Sequence, residues 1–248
     1  SDRLVELPLG VFGIAIATVI LPALSAKYSK KDMVAYKSTL GNALNIAVIF
    51  SLPAMFGLII LSNYIIISLF QYGSFTINDT LMSSMSLMAY SIGLPAFILM
   101  KVLLTGFFSR QDTKTPVRYG IIAVGFNVIM NLSVLAYYLH NPFDGAHAFL
   151  ALATSLSAWL QVFLLYKHLR KHDYISKSIF KTKPSYQSLF SCVIMATILS
   201  YTLLDVLEWT QNTYYIRGAL LLIYIALGAA IYTSTMYILG YKIKKNYI

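Results

Sequence analysis

The sequence predicts an all-α, polytopic membrane helix bundle. Of its 248 residues, 58% are hydrophobic and 11% are charged, whereas soluble domains average roughly 45–50% and about 25%. So little charge cannot cover the surface of a water-soluble fold of this length. The apolar residues also form long unbroken runs, not the short alternating segments typical of strands. The bilayer is therefore the predicted solvent, and helices are the predicted secondary structure.

Seven apolar runs are each near or above the roughly 20 residues that a helix needs to cross about 30 Å of hydrocarbon. They cover residues 4–24, 40–61, 80–108, 117–139, 146–166, 187–207 and 214–239. Residues 38–100 contain no Lys or Arg, and this stretch is long enough for two spans and the turn between them. The sequence thus predicts seven transmembrane helices.

The connections between these runs alternate in charge. Segments 25–37, 109–118, 167–183 and the C-terminal tail carry four, three, six and three bases, together 16 of the 19 Lys and Arg residues. The other connections hold Asp79, Asp144, Asp205 and Glu208, with Arg217 as their one base. The positive-inside rule places the basic connections in the cytoplasm. The first helix is therefore predicted to run inward, and the C-terminus to be cytoplasmic.

Composition and motifs also exclude several functions. The net charge of +10 is spread among connections on one side of the membrane, not gathered in one patch, so no nucleic-acid partner is expected. The single cysteine, Cys192, excludes an internal disulfide and a Cys-based zinc site. His168 and His172 share a helix face but have no third ligand nearby, so no metal site is predicted. No nucleotide-binding loop, nucleophile triad or zinc helix motif occurs, which predicts that the protein is not an enzyme.

A basic segment divides the chain. Residues 1–170 hold five predicted spans, residues 171–186 form a basic cytoplasmic linker, and residues 187–248 hold the last two spans. The Lys and Arg residues of the linker are suited to contact anionic lipid head groups. The chain opens without a methionine or a signal peptide, so we expect it to be part of a longer protein.

Charged residues occur at the start of the first span. Asp2 and Glu6 are four residues apart and share a helix face, and Arg3 lies beside Glu6. An Arg flanked by acids inside a membrane could offer its planar guanidinium to a phosphate oxygen. The same three residues could equally form the outer, interfacial end of the helix.

Lys101 is the second charge inside a predicted span. It precedes Arg110 by nine residues, which places it about 13 Å inward along a helix. Its ammonium could mark a polar cavity. Alternatively, its long side chain could extend towards the cytoplasmic interface.

A polar cluster is predicted between two later spans. Asn127 and Asn131 are four residues apart on one helix, and Thr154 is available on the next helix. These oxygens could ligate Na⁺ or join the helices by hydrogen bonds. Because the cluster lacks a carboxylate, the sequence favours the hydrogen bonds.

Three colinear motifs are more specific than these patterns. They are DRLVELPLG at residues 2–10, continuing to LPALS at 21–25, then LFQYGSF at 69–75, and GFFSRQDTKTP at 106–116. Together they closely resemble the MurJ (MviN) family of bacterial lipid II flippases, within the multidrug/oligosaccharidyl-lipid/polysaccharide exporter superfamily. The resemblance extends along essentially the whole chain, and the last two spans match by position and character only.

The resemblance implies a protein of fourteen helices with two lobes and two extra C-terminal helices, of which this chain is the second half, helices 8–14. It implies that the first helix starts upstream, so that Asp2, Arg3 and Glu6 face a central cavity and Arg3 contacts pyrophosphate. Lys101 matches a basic family position. Asn127, Asn131 and Thr154 match a cation site of some members, although Asn131 stands where those members have a carboxylate. The last two helices resemble a groove for the polyprenyl tail.

The function implied is the flipping of lipid II from the cytoplasmic to the periplasmic leaflet of the bacterial inner membrane by alternating access. The implied partners are lipid II, membrane lipids and the N-terminal half of the same protein. No cofactor is expected, and Na⁺ or the membrane potential would supply the driving force. The alternatives are a polysaccharide-lipid flippase or a cation-coupled multidrug antiporter with the same fold. A polyprenyl-phosphate transferase would need more acidic metal-binding residues, and a scaffold for cell-wall synthases would not need Arg3.

Overall fold

The structure is a computed structural model that describes residues 2–141, 145–175 and 182–241. Each regular element within these residues is a helix. We label these helices α1 (Asp2–Ser29), α2 (Met33–Ile60), α3 (Ser62–Phe70), α4 (Ile77–Phe108), α5 (Lys114–His140), α6 (Ala146–Lys171), α7 (Lys183–Thr202), α8 (Val206–Gln211) and α9 (Tyr214–Ile238). The predicted all-α membrane class is therefore confirmed. The predicted tail bases and Asp144 lie outside the described residues.

Capping residues determine several helix ends. The Asp32 carboxylate accepts a hydrogen bond from the backbone N–H of Ala35 at the start of α2. Thr76 and Asp79 form a reciprocal capping box at the start of α4. Gly145, with φ of 91°, precedes α6 in a left-handed conformation that favours glycine.

All seven predicted runs coincide with helices, and six helices in the described part are long and apolar enough to cross a membrane: α1, α2, α4, α5, α6 and α9. The seventh run, 187–207, differs from its prediction. Its helix, α7, contains polar residues that lower its hydropathy, and three of its serines, Ser185, Ser188 and Ser191, are buried. The helix ends at Thr202, after which α8 forms a separate short element.

The predicted linker 171–186 is also shorter than expected. Lys171 is the last residue of α6, and residues 183–186 belong to the first turn of α7. Lys37 forms an ion pair with Asp173, so the start of this connection is attached to α2. Residues 176–181 lie outside the described part.

Successive long helices run in opposite directions, so the connections between them lie at two different ends of the bundle. At the basic end, which holds the connections 30–32, 109–113 and 172–175, the Tyr36 hydroxyl of α2 donates to the carbonyl of Gly106 in α4 at 2.7 Å. At the base-poor end, which holds the connections 71–76 and 203–213, His147 of α6 bonds to the carbonyl of Met82 in α4 at 2.9 Å. Side chains thus join the helix ends through backbone carbonyls.

Helix α4 is the axis of the bundle and packs against α1, α2, α3 and α6. Its closest approach is to α6, where a Cβ atom added to Gly93 would lie 2.6 Å from Ser155 Oγ and 2.9 Å from Ser155 Cβ. The Ser155 hydroxyl donates to the carbonyl of Ala89 at 2.7 Å. Small residues at this crossing let the two backbones approach, as is typical of helix pairs in membranes.

Helix α1 approaches α4 through a local change of winding. Pro8 lies inside the helix, and residues Leu9–Ile14 that follow it form a π-helical segment. Proline removes one backbone hydrogen bond, and a π-bulge is one way in which a helix accommodates such an interruption. Within the segment, an added Cβ on Gly13 would lie 3.6 Å from the Cα of Ile98.

The last two long helices are attached to the rest of the bundle at three levels. Near the basic end, the Thr182 hydroxyl donates to Asn45 Oδ1 at 3.1 Å. At mid-height, the Tyr232 hydroxyl of α9 donates to the carbonyl of Ile49 at 2.7 Å. At the base-poor end, the fully buried Trp209 of α8 donates from Nε1 to Ser68 Oγ at 3.1 Å and packs edge-on against Tyr64.

The α4–α6 crossing predicts the effect of a single methyl group. Gly93→Ala should lower the stability of the complete protein by about 1–3 kcal/mol, because Ser155 Cβ cannot move aside. Gly125→Ala, at a helical glycine with nothing within 4 Å, should leave stability unchanged or raise it, because alanine favours helices. Thermal unfolding in detergent measures both. Equal midpoints for the two variants would contradict this packing.

Trp209 should control the attachment of the C-terminal helices. Trp209→Ala removes a buried indole and should cost about 3–5 kcal/mol, whereas Trp209→Phe, which loses mainly the bond to Ser68, should cost about 0.5–1.5 kcal/mol. Tyr201→Ala, at a side chain that is 90% exposed, serves as the control. A loss for Trp209→Ala no larger than that control would show that α8 does not anchor the pair.

Candidate functional site

Asp2, Arg3 and Glu6 lie in the first two turns of α1, at the base-poor end of the bundle. Arg3 Nη1 donates to Glu6 Oε2 at 3.1 Å, and the Arg3 backbone N–H donates to Asp2 Oδ1 at 2.8 Å. The side chain of Arg3 is 85% exposed and that of Glu6 is 55% exposed. A guanidinium carries five N–H donors. Most of the Arg3 donors therefore remain available to a ligand while Glu6 orients the group.

The same region of α1 lies beside α4. The Asp2 carboxylate interacts electrostatically with Tyr90, and Val5 is buried in the hydrophobic core. Tyr90 and Lys101 are 11 residues apart on α4, about three turns or 16 Å, and so they share a helix face. Arg3 and Lys101 thus mark two depths along the α1–α4 pair.

Lys101 is half-buried on α4. Its ammonium makes no hydrogen bond or ion pair with any residue in ranges 2–141, 145–175 and 182–241. Phe97 and Leu104 on the same face are also half-buried, whereas Val102 and Leu103 beside it are fully buried. Lys101 therefore lies on the less covered face of α4.

The predicted polar cluster comes together between α5 and α6. Asn131 Nδ2 donates to Asn127 Oδ1 at 3.1 Å, and Asn127 Nδ2 donates to Thr154 Oγ1 at 3.4 Å. Thr154 in turn donates to the carbonyl of Leu150. Asn131 Oδ1 is buried and has no hydrogen-bond partner. Within the described residues, the cluster is a helix-joining hydrogen-bond chain with one free oxygen acceptor.

No group of three His, Cys, Asp or Glu side chains in the described part could hold a metal ion. His168 and His172 do meet, with ring centroids 4.5 Å apart, and His168 Nδ1 lies 3.1 Å from the Tyr119 hydroxyl. That contact joins α5 to α6 near the basic end. The pair is therefore part of helix packing.

Arg110 has a role that the sequence did not predict. Its guanidinium carbon lies 3.7 Å from the centroid of the Tyr174 ring and 5.2 Å from that of Phe107, and Nε donates to the carbonyl of Gly106 at 2.8 Å. Tyr36 bonds to the same carbonyl and packs edge-on against Tyr174. These contacts form a cage around Arg110 at the basic end of the bundle, beside the 106–116 motif. Tyr36 and Tyr174 lie far from Arg110 in sequence, so spacing could not predict the cage.

Arg217 is the one base in the connections predicted on the outer side. Its Nε donates to the carbonyl of Asn212 at 2.8 Å, and a terminal nitrogen donates to that of Thr210. These carbonyls lie at the C-terminus of α8, where a cation is favourable. Arg217 therefore has a structural role.

Comparison with known proteins decides the family. A family model described as "Lipid II flippase MurJ" matches residues 1–226. The chain belongs to this family. This match confirms the resemblance seen in the three motifs. It also agrees with the prediction of a multi-pass membrane protein.

Individual MurJ relatives support the family assignment. The chain is 40% identical over 247 residues to a probable lipid II flippase MurJ of Vibrio cholerae, covering 98% of this chain and 45% of the relative. It is 35% identical to the Haemophilus influenzae protein of that name, with 98% and 47% covered. A solved structure of lipid II flippase MurJ in an inward closed conformation superposes with a TM-score of 0.76 at 26% identity, over 96% of this chain and 45% of that one. The chain thus spans about half the length of its relatives.

The exposure of Arg3 predicts that it contributes little to stability. Arg3→Ala should change the midpoint of thermal unfolding by no more than about 3 °C, because an exposed ion pair is worth little. The measurement is thermal unfolding of the complete protein in detergent, with Arg217→Ala as the structural comparison, which should unfold at a lower temperature. A large loss for Arg3→Ala would mean that Arg3 holds α1 in place.

Proposed function

We propose that the complete protein moves lipid II from the cytoplasmic to the periplasmic leaflet, and that this chain supplies one lobe and the C-terminal helix pair. The observation that carries the proposal is Arg3, an 85% exposed guanidinium at the start of a membrane-spanning helix, held by an acid on its own helix face. The relatives' name supports the choice of lipid II. In this proposal the basic end and the C-terminus are cytoplasmic, as the distribution of Lys and Arg supports.

The physical problem is to carry a pyrophosphate through hydrocarbon. Each charge removed from water must be compensated by an opposite charge or by hydrogen bonds. A guanidinium can bind two phosphate oxygens at once through its planar fork. In our proposal Glu6 and Asp2 keep the Arg3 group oriented and limit the local positive charge, so that the headgroup can also leave.

Lys101 supplies a second cationic position in this proposal. It lies on the face of α4 that it shares with Tyr90 and has no ion-pair partner in the described part. An unpaired ammonium is costly in a dry bilayer, so a water-filled cavity would account for its position. The pyrophosphate would then pass between cations at two depths as the two lobes rock. No bond is made or broken, so no enzymatic activity is proposed.

The membrane potential is our proposed driving force. One charge moving across 100 mV gains or loses about 2.3 kcal/mol. The alternative, Na⁺ coupling, would use Asn127, Asn131 and Thr154. Only Asn131 Oδ1 is free there, and Ca²⁺ and similar hard cations prefer several oxygen ligands. Sodium would therefore need further ligands from outside this cluster.

We propose that the helix pair formed by α7 and α9 supports the lipid tail. Large apolar side chains of both helices point outward, among them Phe190, Val193, Leu222 and Ile223. Hydrogen bonds to Asn45, Ile49 and Ser68 attach the pair to the lobe. The tail would thus stay in lipid beside a surface that moves with the lobe. The N-terminal half of the protein would supply the opposing wall of the cavity.

Growth complementation tests the proposal. In cells depleted of their own flippase, the complete protein should restore growth, and Arg3→Ala should reduce colony formation at least a hundredfold at an unchanged membrane level. Arg3→Lys should also fail if two phosphate oxygens are bound at once. Arg170→Ala removes an exposed arginine at the basic end and should grow normally.

The outcomes separate the possible roles of Arg3. Rescue by Lys alone would reduce Arg3 to a point charge. Full rescue by Ala at equal membrane level would remove Arg3 from the transport mechanism and leave it as a helix-end residue. Failure of the unsubstituted protein to restore growth would contradict the proposed function itself.

A further inference from the structure

An open groove lies on α5 at the basic end of the bundle. Its volume is about 610 Å³, and it is lined by Thr113, Lys114, Val117, Arg118, Ile121 and Ile122. Helix α5 is the least covered of the long helices: in its described residues only Pro116 and Ala123 are buried. The groove therefore lies on an exposed face of α5.

The upper part of the groove is cationic. Lys114 and Arg118 are four residues apart, so they project from the same side of the helix, and both are exposed. Neither side chain makes a hydrogen bond or ion pair with the described residues. The nearest acid in sequence, Asp112, already accepts the backbone N–H of Thr115 at 3.1 Å. Within the described residues, the two positive charges thus lack a protein counter-charge.

The lower part of the groove is apolar. Val117, Ile121 and Ile122 are 60%, 68% and 44% exposed. From Lys114 to Ile122 the helix rises about 12 Å. Passing from the end of the helix towards its middle, a ligand would therefore meet two cations first and branched aliphatic side chains next.

We propose that this groove binds an anionic phospholipid of the leaflet that surrounds the basic end. The phosphate would lie between Lys114 and Arg118, and an acyl chain would cover Val117, Ile121 and Ile122. A soluble anion would use the two bases but leave the aliphatic surface exposed, whereas a lipid matches both parts in the order in which they occur. The site is separate from Arg3, which lies at the opposite end of the bundle. It requires only that the basic end lie at a membrane surface.

Lipid binding to the purified complete protein tests the site. Native mass spectrometry would follow titration with phosphatidylglycerol and, separately, with phosphatidylcholine. The unsubstituted protein should prefer phosphatidylglycerol. The double variant Lys114→Ala with Arg118→Ala should bind it about thirtyfold more weakly, because each basic residue near an anionic surface contributes a several-fold change in affinity. Phosphatidylcholine binding should change little.

A matched control carries the same change of charge at the same end. Lys30 is exposed in the connection after α1, Arg170 is exposed on α6, and neither residue lines the groove. The control Lys30→Ala with Arg170→Ala should reduce phosphatidylglycerol binding less than about threefold. A third variant, Ile121→Ser with Ile122→Ser, keeps both bases and should weaken binding through loss of the apolar contact. Thermal unfolding of each variant would verify that it is folded.

Three results would overturn the proposal. Equal losses in the double variant and its control would indicate a diffuse basic surface with no site. Displacement of phosphatidylglycerol by millimolar inorganic phosphate would assign the bases to a soluble anion. Unchanged binding after Ile121→Ser with Ile122→Ser would remove the acyl chain from the groove. Because none of these readouts uses transport, a failed lipid site and a failed flippase function are distinguishable.

Discussion

The cost of charge in hydrocarbon is the constraint on which the rest of this structure depends. It is the basis of the prediction that 16 of the 19 basic residues lie in connections on one side of the membrane. The three that remain are Arg3, Lys101 and Arg217, and each has a different environment. Arg217 binds carbonyls at the end of α8, Arg3 pairs with Glu6, and Lys101 has no ion-pair partner among the described residues. The two that are not used for packing are the two assigned to the headgroup.

The same constraint determines how the helices are joined. Backbone carbonyls within a helix need no further partner, yet hydroxyl groups of Tyr36, Ser155 and Tyr232 donate to carbonyls of neighbouring helices. Each such bond satisfies a hydroxyl that would otherwise be buried without a partner, and it also fixes the register of two helices. The core is therefore held by small residues and hydroxyls as well as by aliphatic packing. It follows that α7 and α9 should move together with α2 and α3 in any rocking motion of the lobe.

Much of the fold could be predicted from the sequence, because span length and loop charge are properties of composition. The sequence located every long helix, and helix periodicity placed Asn127 and Asn131 on one face, which the structure shows in contact with Thr154 of the next helix. The prediction overestimated the apolar character of residues 187–207, because serines of this segment face the interior of the bundle and the helix ends at Thr202. The Arg110 cage and the Trp209 anchor could not be predicted, because their partners come from segments far apart in the chain. Arg3 and Lys101 are candidate site residues because they are charged residues within or at the start of apolar spans, and their surroundings could be described only from the structure.

The central claim is that the complete protein carries the lipid II headgroup across the membrane and needs the Arg3 guanidinium to do so. The most direct measurement is the fraction of lipid II exposed on the outer leaflet of intact cells that depend on this protein, measured by its cleavage with an externally added headgroup-degrading enzyme. Our account predicts cleavage with the unsubstituted protein and a loss of most cleavage with Arg3→Ala, while total lipid II accumulates. Equal cleavage in both, at equal protein level, would contradict it.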